Sequence, residues 1–145
     1  MDRFETFSLA LFNISRYWNR IAADEMDKYG LKGAHAFYLV TILRHDGEIT
    51  ASQLCELCGK DKADVSRGIT KMESCGLLER TGPNPYRAKL KLTESGLEAA
   101  RAVRQTAATI VDRVGGDLTP ENRAVFYETL GAITSNLEKL CKELD

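Results

Sequence analysis

The chain has 145 residues, the length of one domain, and its 43% of hydrophobic residues is enough to form a core. A formal net charge of −1 does not by itself indicate nucleic-acid binding, and 28% of charged residues is ordinary for a soluble protein. The first residues lack a secretory pattern, and the longest mostly apolar stretch, residues 34–43, is far shorter than the roughly 20 residues that span a bilayer. We therefore expect a cytoplasmic protein without a membrane partner, whose four cysteines are reduced.

The first predicted element is a long amphipathic helix over about residues 4–28. Apolar side chains recur there at spacings of 3, 4, 3, 4 and 3, the period of one helical face. This stripe consists of Phe4, Phe7, Leu11, Ile14, Trp18 and Ile21. Phe12 and Tyr17 lie outside the stripe, so a second face is also apolar. Two apolar faces on a terminal helix predict that it packs against more than its own domain.

A second helix is predicted over residues 33–44, where apolar residues recur at a three-residue spacing. Its predicted core residues are Phe37, Val40 and Leu43. Ile49 follows this helix after a short polar link that contains a glycine. We expect Ile49 to pair with a later strand, as the short third strand of a small sheet.

Residues 50–76 carry two helix signals separated by a tight turn. Thr50 and Gln53 have the spacing of a capping box, in which each side chain binds the other residue's backbone amide. Gly59 can adopt the left-handed conformation that ends the first helix, and Asp61 can cap the second. Two short helices joined by such a turn predict a helix-turn-helix.

The second helix of this pair has two distinct faces. Val65, Ile69 and Met72 recur at i, i+4 and i+7 and are predicted to point into the core. The opposite face is small, polar and basic, which is typical of a surface that enters the major groove of DNA. It consists of Ala63, Arg67, Thr70 and Ser74, flanked by Ser66 and Lys71.

A basic two-stranded ribbon is predicted next, around the turn Gly82-Pro83-Asn84-Pro85. Apolar and basic residues then alternate, which is typical of a half-buried strand. The apolar side holds Tyr86, Ala88, Leu90 and Leu92, and the basic side holds Arg87, Lys89 and Lys91. Residues 60–91 contain eight basic and four acidic residues, a net charge of +4 that leaves −5 for the rest of the chain. This asymmetry indicates a DNA-facing side, although ordinary surface scatter is the alternative.

Two further helices are predicted at the carboxyl end. Thr93 caps a helix that continues through Val114, and Thr119-Pro120-Glu121 starts the last one with a cap, a first-turn proline and an acid. The last helix has an apolar seam made of Phe126, Leu130, Ile133, Leu137, Leu140 and Leu144. Apolar seams in residues 4–28 and 120–144 predict a homodimer, while the alternative is that both seams close one monomeric core.

The ordered set of motifs in residues 50–96 resembles the MarR family of winged helix-turn-helix transcription regulators. The resemblance is carried by Ser66-Arg67 in the second helix and by the run Leu92 to Gly96 after the ribbon. The family's wing tip has an aspartate and two basic residues, whereas this chain has Pro85-Tyr86-Arg87 there, so only Arg87 inherits the minor-groove role. The resemblance implies a repressor of palindromic operators that a small ligand or an oxidant relieves.

The expected fold class is therefore mainly α with a small β-wing. One domain is expected over residues 1–145, with the winged helix-turn-helix lobe at about 33–93. Dimerisation helices at about 4–28 and 94–144 would flank this lobe. The alternative function is a winged-helix protein-interaction module that does not bind DNA. An enzyme is not expected, because the sequence has no Gly-rich phosphate loop and no nucleophile motif.

The candidate DNA-binding residues differ in their expected roles. Arg67 is expected to read a guanine, and the alternative is a solvated ion pair with Asp64. The remaining candidates are expected to contact phosphates, thymine methyl groups or the minor groove. These candidates are Lys62, Ala63, Ser66, Thr70, Lys71, Arg87 and Lys89.

Two further residue sets are candidates for regulation. The resemblance implies a pocket for an aromatic or phenolic anion, which Tyr17, Trp18, His35 and Tyr38 would line, and the alternative is that they are core residues. Cys55 and Cys58 form a C-x-x-C on one helix face, which is either a pair of small apolar residues or a thiol sensor. A structural zinc ion needs two more ligands, and the other cysteines and histidines are scattered, so neither a metal nor a cofactor is expected.

Overall fold

The computed structural model describes residues 1–59, 61–84 and 87–145. Within these ranges the chain forms six helices and three short strands. In chain order they are α1 (Arg3–Asp27), α2 (Ala34–Arg44), β1 (Ile49–Thr50), α3 (Ala51–Cys58), α4 (Lys62–Ser74), β2 (Leu78–Thr81), β3 (Lys89–Leu92), α5 (Glu94–Val114) and α6 (Pro120–Leu144). The predicted fold class, mainly α with a small β-wing, is confirmed. Among the described residues, no helix combines the length and the apolar character needed to cross a membrane.

The three strands form one antiparallel sheet in the order β1-β3-β2. Leu90 of β3 pairs with Ile49 of β1 on one side and with Arg80 of β2 on the other. The prediction that Ile49 adds a short third strand is therefore confirmed. Tyr86, which was predicted to extend the ribbon, lies outside the described residues together with Pro85 and Lys60.

Local capping interactions define where the helices of the helix-turn-helix begin and end. The backbone amide of Gln53 donates to Thr50 Oγ1 at 3.3 Å, and the Thr50 amide donates to Gln53 Oε1 at 2.9 Å. Gly59 ends α3 with a φ of 60°, in the left-handed region that glycine adopts without strain. Asp61 Oδ1 then accepts from the Asp64 amide at 2.9 Å and starts α4. Both predicted caps and the predicted left-handed conformation of Gly59 are confirmed.

Two compact units make up the chain, Met1–Thr106 and Ala107–Asp145. The first contains the hydrophobic core, to which helices α1 to α5 and the sheet each contribute. Its fully buried large side chains include Met26, Leu39, Ile42, Ile49, Leu54, Ile69, Met72 and Leu90. The second unit contains the end of α5 and the whole of α6, which Thr119 caps by accepting from the Asn122 amide at 3.1 Å.

The core face of α2 differs from the prediction. Phe37 was expected in the core, but 53% of its surface is exposed, whereas Tyr38 is only 2% exposed. Val40 and Leu43, the other predicted core residues, are half-buried. The buried face follows Tyr38, Leu39 and Ile42 instead, and it includes two rings with polar atoms, those of His35 and Tyr38. Leu39 and Ile42 have the same three-residue spacing as the predicted stripe, so periodicity alone did not decide which of the two faces is buried.

The start of α5 lies directly against the backbone that follows α4. A Cβ atom added at Gly96 would lie 1.9 Å from the carbonyl oxygen of Leu77, and Thr93 Oγ1 of the same turn donates to the Gly76 carbonyl at 2.6 Å. The obstacle at Gly96 is backbone, which cannot rotate away as a flexible side chain can. A glycine is therefore required at this crossing.

We expect Gly96→Ala to lower the free energy of unfolding by at least about 3 kcal/mol, because overpacking against backbone forces the two segments apart. Urea unfolding followed by circular dichroism measures the loss. Gly131→Ala is the matched control, since a Cβ there meets nothing within 4 Å, and it should stabilise α6 by about 0.5–1 kcal/mol. Equal stability of Gly96→Ala and the unsubstituted protein would contradict the close approach.

Candidate nucleic-acid interface

The outward surface of α4 is the first part of the candidate interface, and we call it the reading face. Val65, Ile69 and Met72 are buried beneath it, as predicted. The reading face is fully on the surface and carries small, hydroxyl and cationic side chains. It consists of Ala63, Ser66, Arg67, Thr70, Lys71 and Ser74. A helix surface without large apolar groups can enter a major groove, which is about 12 Å wide.

Arg67 forms an ion pair with Asp64 one turn earlier on α4, through Nη2 and Oδ1. The side chains of Arg67 and Asp64 are 69% and 51% exposed, so water screens their attraction. Such exposed pairs typically contribute about 0.2–1 kcal/mol, so Arg67 can exchange this partner for another acceptor at low cost. The alternative predicted for Arg67 is therefore present in this structure, and its contact with a base stays a prediction.

The wing forms the second part of the candidate interface. Its β3 strand buries Leu90 and Leu92 and exposes Lys89 and Lys91, as the alternation predicted. The Lys89 ammonium pairs with Glu48, which precedes β1, and thereby ties the wing to the link after α2. Arg87 is exposed, and its backbone amide donates to the Asn84 carbonyl at 3.1 Å within the wing turn.

The cations of this surface divide into paired and unpaired groups. Arg67 pairs with Asp64, Lys89 with Glu48, and Arg80 Nε lies 2.9 Å from Glu73 Oε1. In the described parts of the chain, the other exposed cations of α4 and the wing form no ion pair. These unpaired cations are Lys62, Lys71, Arg87 and Lys91. They leave positive charge on the surface that holds the reading face, although the whole chain has a net charge of −1.

Three of the four predicted pocket residues are distributed between two cavities of the first unit. The α1–α2 cavity has a volume of about 450 Å³, and its aromatic walls are Trp18, Phe37 and Tyr38. The α2–α4 cleft has a volume of about 480 Å³ and is lined by His35, Tyr38 and polar residues of α4. Tyr17 packs instead beside the Arg16 guanidinium, whose carbon lies 4.8 Å from its ring centroid. The structure thus brings Trp18 and Tyr38 together around one cavity, and His35 and Tyr38 around the other.

His35 is 7% exposed, and its Nδ1 accepts a hydrogen bond from the Lys32 amide at 3.1 Å. Because Nδ1 is the acceptor, the proton of the neutral ring is on Nε2. Burial lowers the pKa of His35 below its usual range, and the charges of Lys32 and Lys71 lower it further. Burial likewise raises the pKa of Tyr38, so both rings are neutral near pH 7.

Gly68 brings α4 into close contact with these rings. A Cβ atom at Gly68 would lie 2.8 Å from Tyr38 Cε2 and 3.1 Å from His35 Nε2. Only a glycine lets the two helices approach this closely. Sequence reasoning missed both Gly68 and Lys32: a glycine inside a helical pattern is a signal of close packing, whereas the turn that holds Lys32 carries no motif.

Cys55 and Cys58 are half-buried on α3. Cys55 lines a groove beside Ser66 and Arg80, and Cys58 lines the α1–α2 cavity with Trp18. The two thiols therefore border different spaces, although they lie on one face of α3. Among the described residues, no group of three or more potential ligands could hold a metal ion.

Comparison with known proteins agrees with the geometry of the lobe. Residues 29–87 match the model of the MarR family. A curated relative from Bacillus subtilis strain 168, the uncharacterized HTH-type transcriptional regulator YdgJ, is 26% identical over 104 residues. The match covers 70% of this chain but 63% of YdgJ, so the chain spans less than two thirds of that relative's length.

Solved structures superpose on a larger part of this chain than the family model matches. A MarR transcriptional regulator from Methanosarcina mazei Go1 superposes with a TM-score of 0.85 at 21% identity, covering 97% of this chain and 94% of that one. A putative MarR family regulator from Listeria monocytogenes, solved in complex with a 26mer DNA, has a TM-score of 0.80 at 20% identity and covers 94% and 89%. At these identities the likeness establishes the fold, and the predicted resemblance to the MarR family is confirmed.

Proposed function

Since residues 29–87 match the MarR family model, we propose that this chain is a homodimeric transcription repressor that binds palindromic operators in the cytoplasm. A small aromatic ligand or an oxidant relieves the repression. The observation that carries the proposal is the exposed reading face of α4 beside the cationic strand β3. The DNA complex of the structurally similar regulator from Listeria monocytogenes supports double-stranded DNA as the partner.

The side chains of the reading face suit two kinds of DNA contact, one that recognises bases and one that binds phosphates. Arg67 leaves its exposed partner Asp64 and binds guanine O6 and N7 together, which discriminates against other bases. Ala63 and Thr70 are small enough to lie against thymine methyl groups. Lys62, Ser66 and Lys71 bind phosphates, which position the helix without specifying sequence. Arg87 and Lys89 of the wing lie along the minor groove and its phosphates.

We expect Arg67→Ala to weaken operator binding by about 1–3 kcal/mol, with a much smaller loss on random DNA. Lys71→Ala should weaken both kinds of DNA about equally and lower the slope of log K against log salt by about one unit. Fluorescence anisotropy on fragments of the gene's own promoter, at several stated salt concentrations, measures both effects. Arg104→Ala is the control, because Arg104 is an exposed arginine of α5.

An equal loss on operator and random DNA for Arg67→Ala would refute the reading role of Arg67 while leaving DNA binding intact. Absence of binding to every promoter fragment would instead favour the alternative function, a winged-helix module that binds other proteins. The two results separate an error about one residue from an error about the function of the whole surface.

The proposal of a homodimer is supported by apolar side chains that the single chain leaves on its surface. On α1 the stripe from Phe4 to Ile21 is between 38% and 74% exposed. On α6 no residue is buried, and Leu130, Leu137 and Leu140 are 41%, 41% and 57% exposed. Apolar surface of this extent usually marks an interface. Two-fold symmetry would place two copies of α4 about 34 Å apart, one turn of DNA.

We expect the doubly substituted variant Leu130→Glu, Leu137→Glu to be a monomer, because it buries two carboxylates in the interface. Light scattering after size exclusion should give twice the chain mass of 16.1 kDa for the unsubstituted protein and the single mass for the variant. Ser135→Glu is the control, since Ser135 is exposed and lies off the seam of α6. A monomeric mass for the unsubstituted protein would contradict the homodimer.

The α1–α2 cavity is the proposed effector site. Its floor is made of small residues, including Ala22, Ala23 and Ala36, and its walls are aromatic. A flat aromatic ring fits such a space, which is within the usual volume of small-molecule sites. Tyr38 lines this cavity and also contacts Gly68 of α4 closely, so a ligand that moves Tyr38 changes the support of the reading face. The ligand then favours the DNA-free state.

We expect a phenolic or benzoic acid that binds there to quench the fluorescence of Trp18, the only tryptophan of the chain. Ala36→Leu should fill the cavity and raise the Kd for the ligand by at least about tenfold, which is the effect of roughly 1.4 kcal/mol of lost binding free energy. Ala102→Leu on the exposed surface of α5 is the matched control. Quenching that is unchanged in Ala36→Leu would place the ligand elsewhere.

Oxidation is the alternative input, through Cys55 and Cys58. Both thiols lie on α3, whose Leu54 is fully buried in the core that supports α4. Conversion of either thiol to a sulfenic acid adds a polar group to a half-buried position. That change would disturb the packing of α3 and, through it, the orientation of the reading face.

A further inference from the structure

The α2–α4 cleft differs in chemistry from the aromatic cavity proposed for the effector. Its charged lining residues are Lys32 from the turn between α1 and α2, and Asp64, Arg67 and Lys71 from α4. Three cations therefore surround a single carboxylate, and that carboxylate already pairs with Arg67. In the described parts of the chain, Lys32 and Lys71 form no ion pair. The cleft thus has two uncompensated ammonium groups that come from two different elements.

A neutral hydrogen-bond donor lies between these two elements. His35 is more than nine-tenths buried, and the Lys32 amide holds its ring by donating to Nδ1 at 3.1 Å. The remaining ring nitrogen, Nε2, carries the proton and lies beside Gly68, at the α4 side of the cleft. A buried ring that is oriented by one nitrogen and donates with the other is suited to bind an anion.

Both lysines line the same cleft as this ring. The charges of Lys32 and Lys71 each add to burial in lowering the pKa of His35. The close approach at Gly68, where a Cβ would lie 2.8 Å from Tyr38, holds α4 against α2. Lys71 therefore lies on a packed helix, while Lys32 lies in a turn whose backbone amide is hydrogen-bonded to His35. Asp64 is the only acidic residue lining the cleft among the described residues, and it does not neutralise both lysines.

We propose that the α2–α4 cleft is an oxyanion site for one phosphate-class group, with Lys32 and Lys71 as its cations and the Nε2–H of His35 as its neutral donor. The group is either a backbone phosphate of DNA or a free phosphate-class anion. The first source rests on the proposed function, because Lys71 also belongs to the reading face. It extends the DNA contact beyond α4 and the wing to the turn before α2. The second source makes bound anion and DNA compete for Lys71.

The first arm of the test measures DNA binding as a function of salt. Each phosphate that a protein cation neutralises contributes about −0.9 to the slope of log K against log salt, so the loss of one contact makes the slope less steep by about 0.9. Lys32→Gln should therefore lower the slope by about this amount for each subunit bound. Lys28→Gln is the matched control, because Lys28 is exposed four residues earlier and pairs with Glu25 at 2.7 Å. Its slope should equal that of the unsubstituted protein if a backbone phosphate occupies the cleft.

The second arm uses inorganic phosphate and no DNA. The chain has two histidines, so its imidazole NMR spectrum has two sets of signals, and His45 is an internal reference. If a free anion occupies the cleft, phosphate shifts the His35 signals saturably, while chloride at the same ionic strength does not. The shift should disappear in Lys32→Gln and remain in Lys28→Gln. Circular dichroism of both variants verifies that they are folded.

If the salt slope of DNA binding changes in Lys32→Gln but not in Lys28→Gln, the cleft binds a backbone phosphate of DNA. If phosphate shifts the NMR signals of His35 saturably and Lys32→Gln loses that shift, the cleft binds a free anion. The proposal is overturned if Lys32→Gln matches Lys28→Gln in salt slope and phosphate leaves the His35 signals unchanged. If the unsubstituted protein binds no DNA, the proposed function fails, but the phosphate titration still decides whether the cleft is an oxyanion site.

Discussion

The candidate interface depends on the close contact between α4 and α2 at Gly68. Gly68 has no side chain there, so its backbone lies directly against two rings of α2, and an added Cβ would lie 2.8 Å from Tyr38 and 3.1 Å from His35. Val65, Ile69 and Met72 anchor the same helix in the core. These contacts orient α4 so that Arg67 and its neighbours face outward. They also bring Lys71 to the same cleft as Lys32, although 39 positions separate them in the sequence.

The distribution of ion pairs explains how a chain with a net charge of −1 can present a cationic surface. Glu48 and Glu73 neutralise Lys89 and Arg80, and both pairs brace the wing and the segment that leads to it. Lys71, Arg87 and Lys91 have no such partner among the described residues. Paired and unpaired cations thus share one surface, which overall charge cannot reveal.

The predictions that the structure confirmed rest on interactions between residues close in sequence. Thr50 with Gln53, Asp61 with Asp64 and Thr119 with Asn122 are all three residues apart. Capping depends on backbone geometry within one turn, so residue type and spacing suffice to predict it. Phe37 shows the limit of such local rules, because the elements that pack around α2 decide which of its faces is buried, and that face includes His35 and Tyr38. The apolar pattern fits both faces of α2, so it could not choose between them.

The sequence by itself determined the order and ends of the helices, the alternation of β3 and the resemblance to the MarR family, because caps, turns and periodicity are local properties. It also determined that α4 exposes Arg67, since helical period and three apolar residues leave that side outward. Only the tertiary structure decided that Trp18 and His35 border different cavities, and that Lys32 and Lys71 line one cleft. These relations arise where distant segments pack together, and the distance between such segments is set by side-chain volume and backbone contact across the fold.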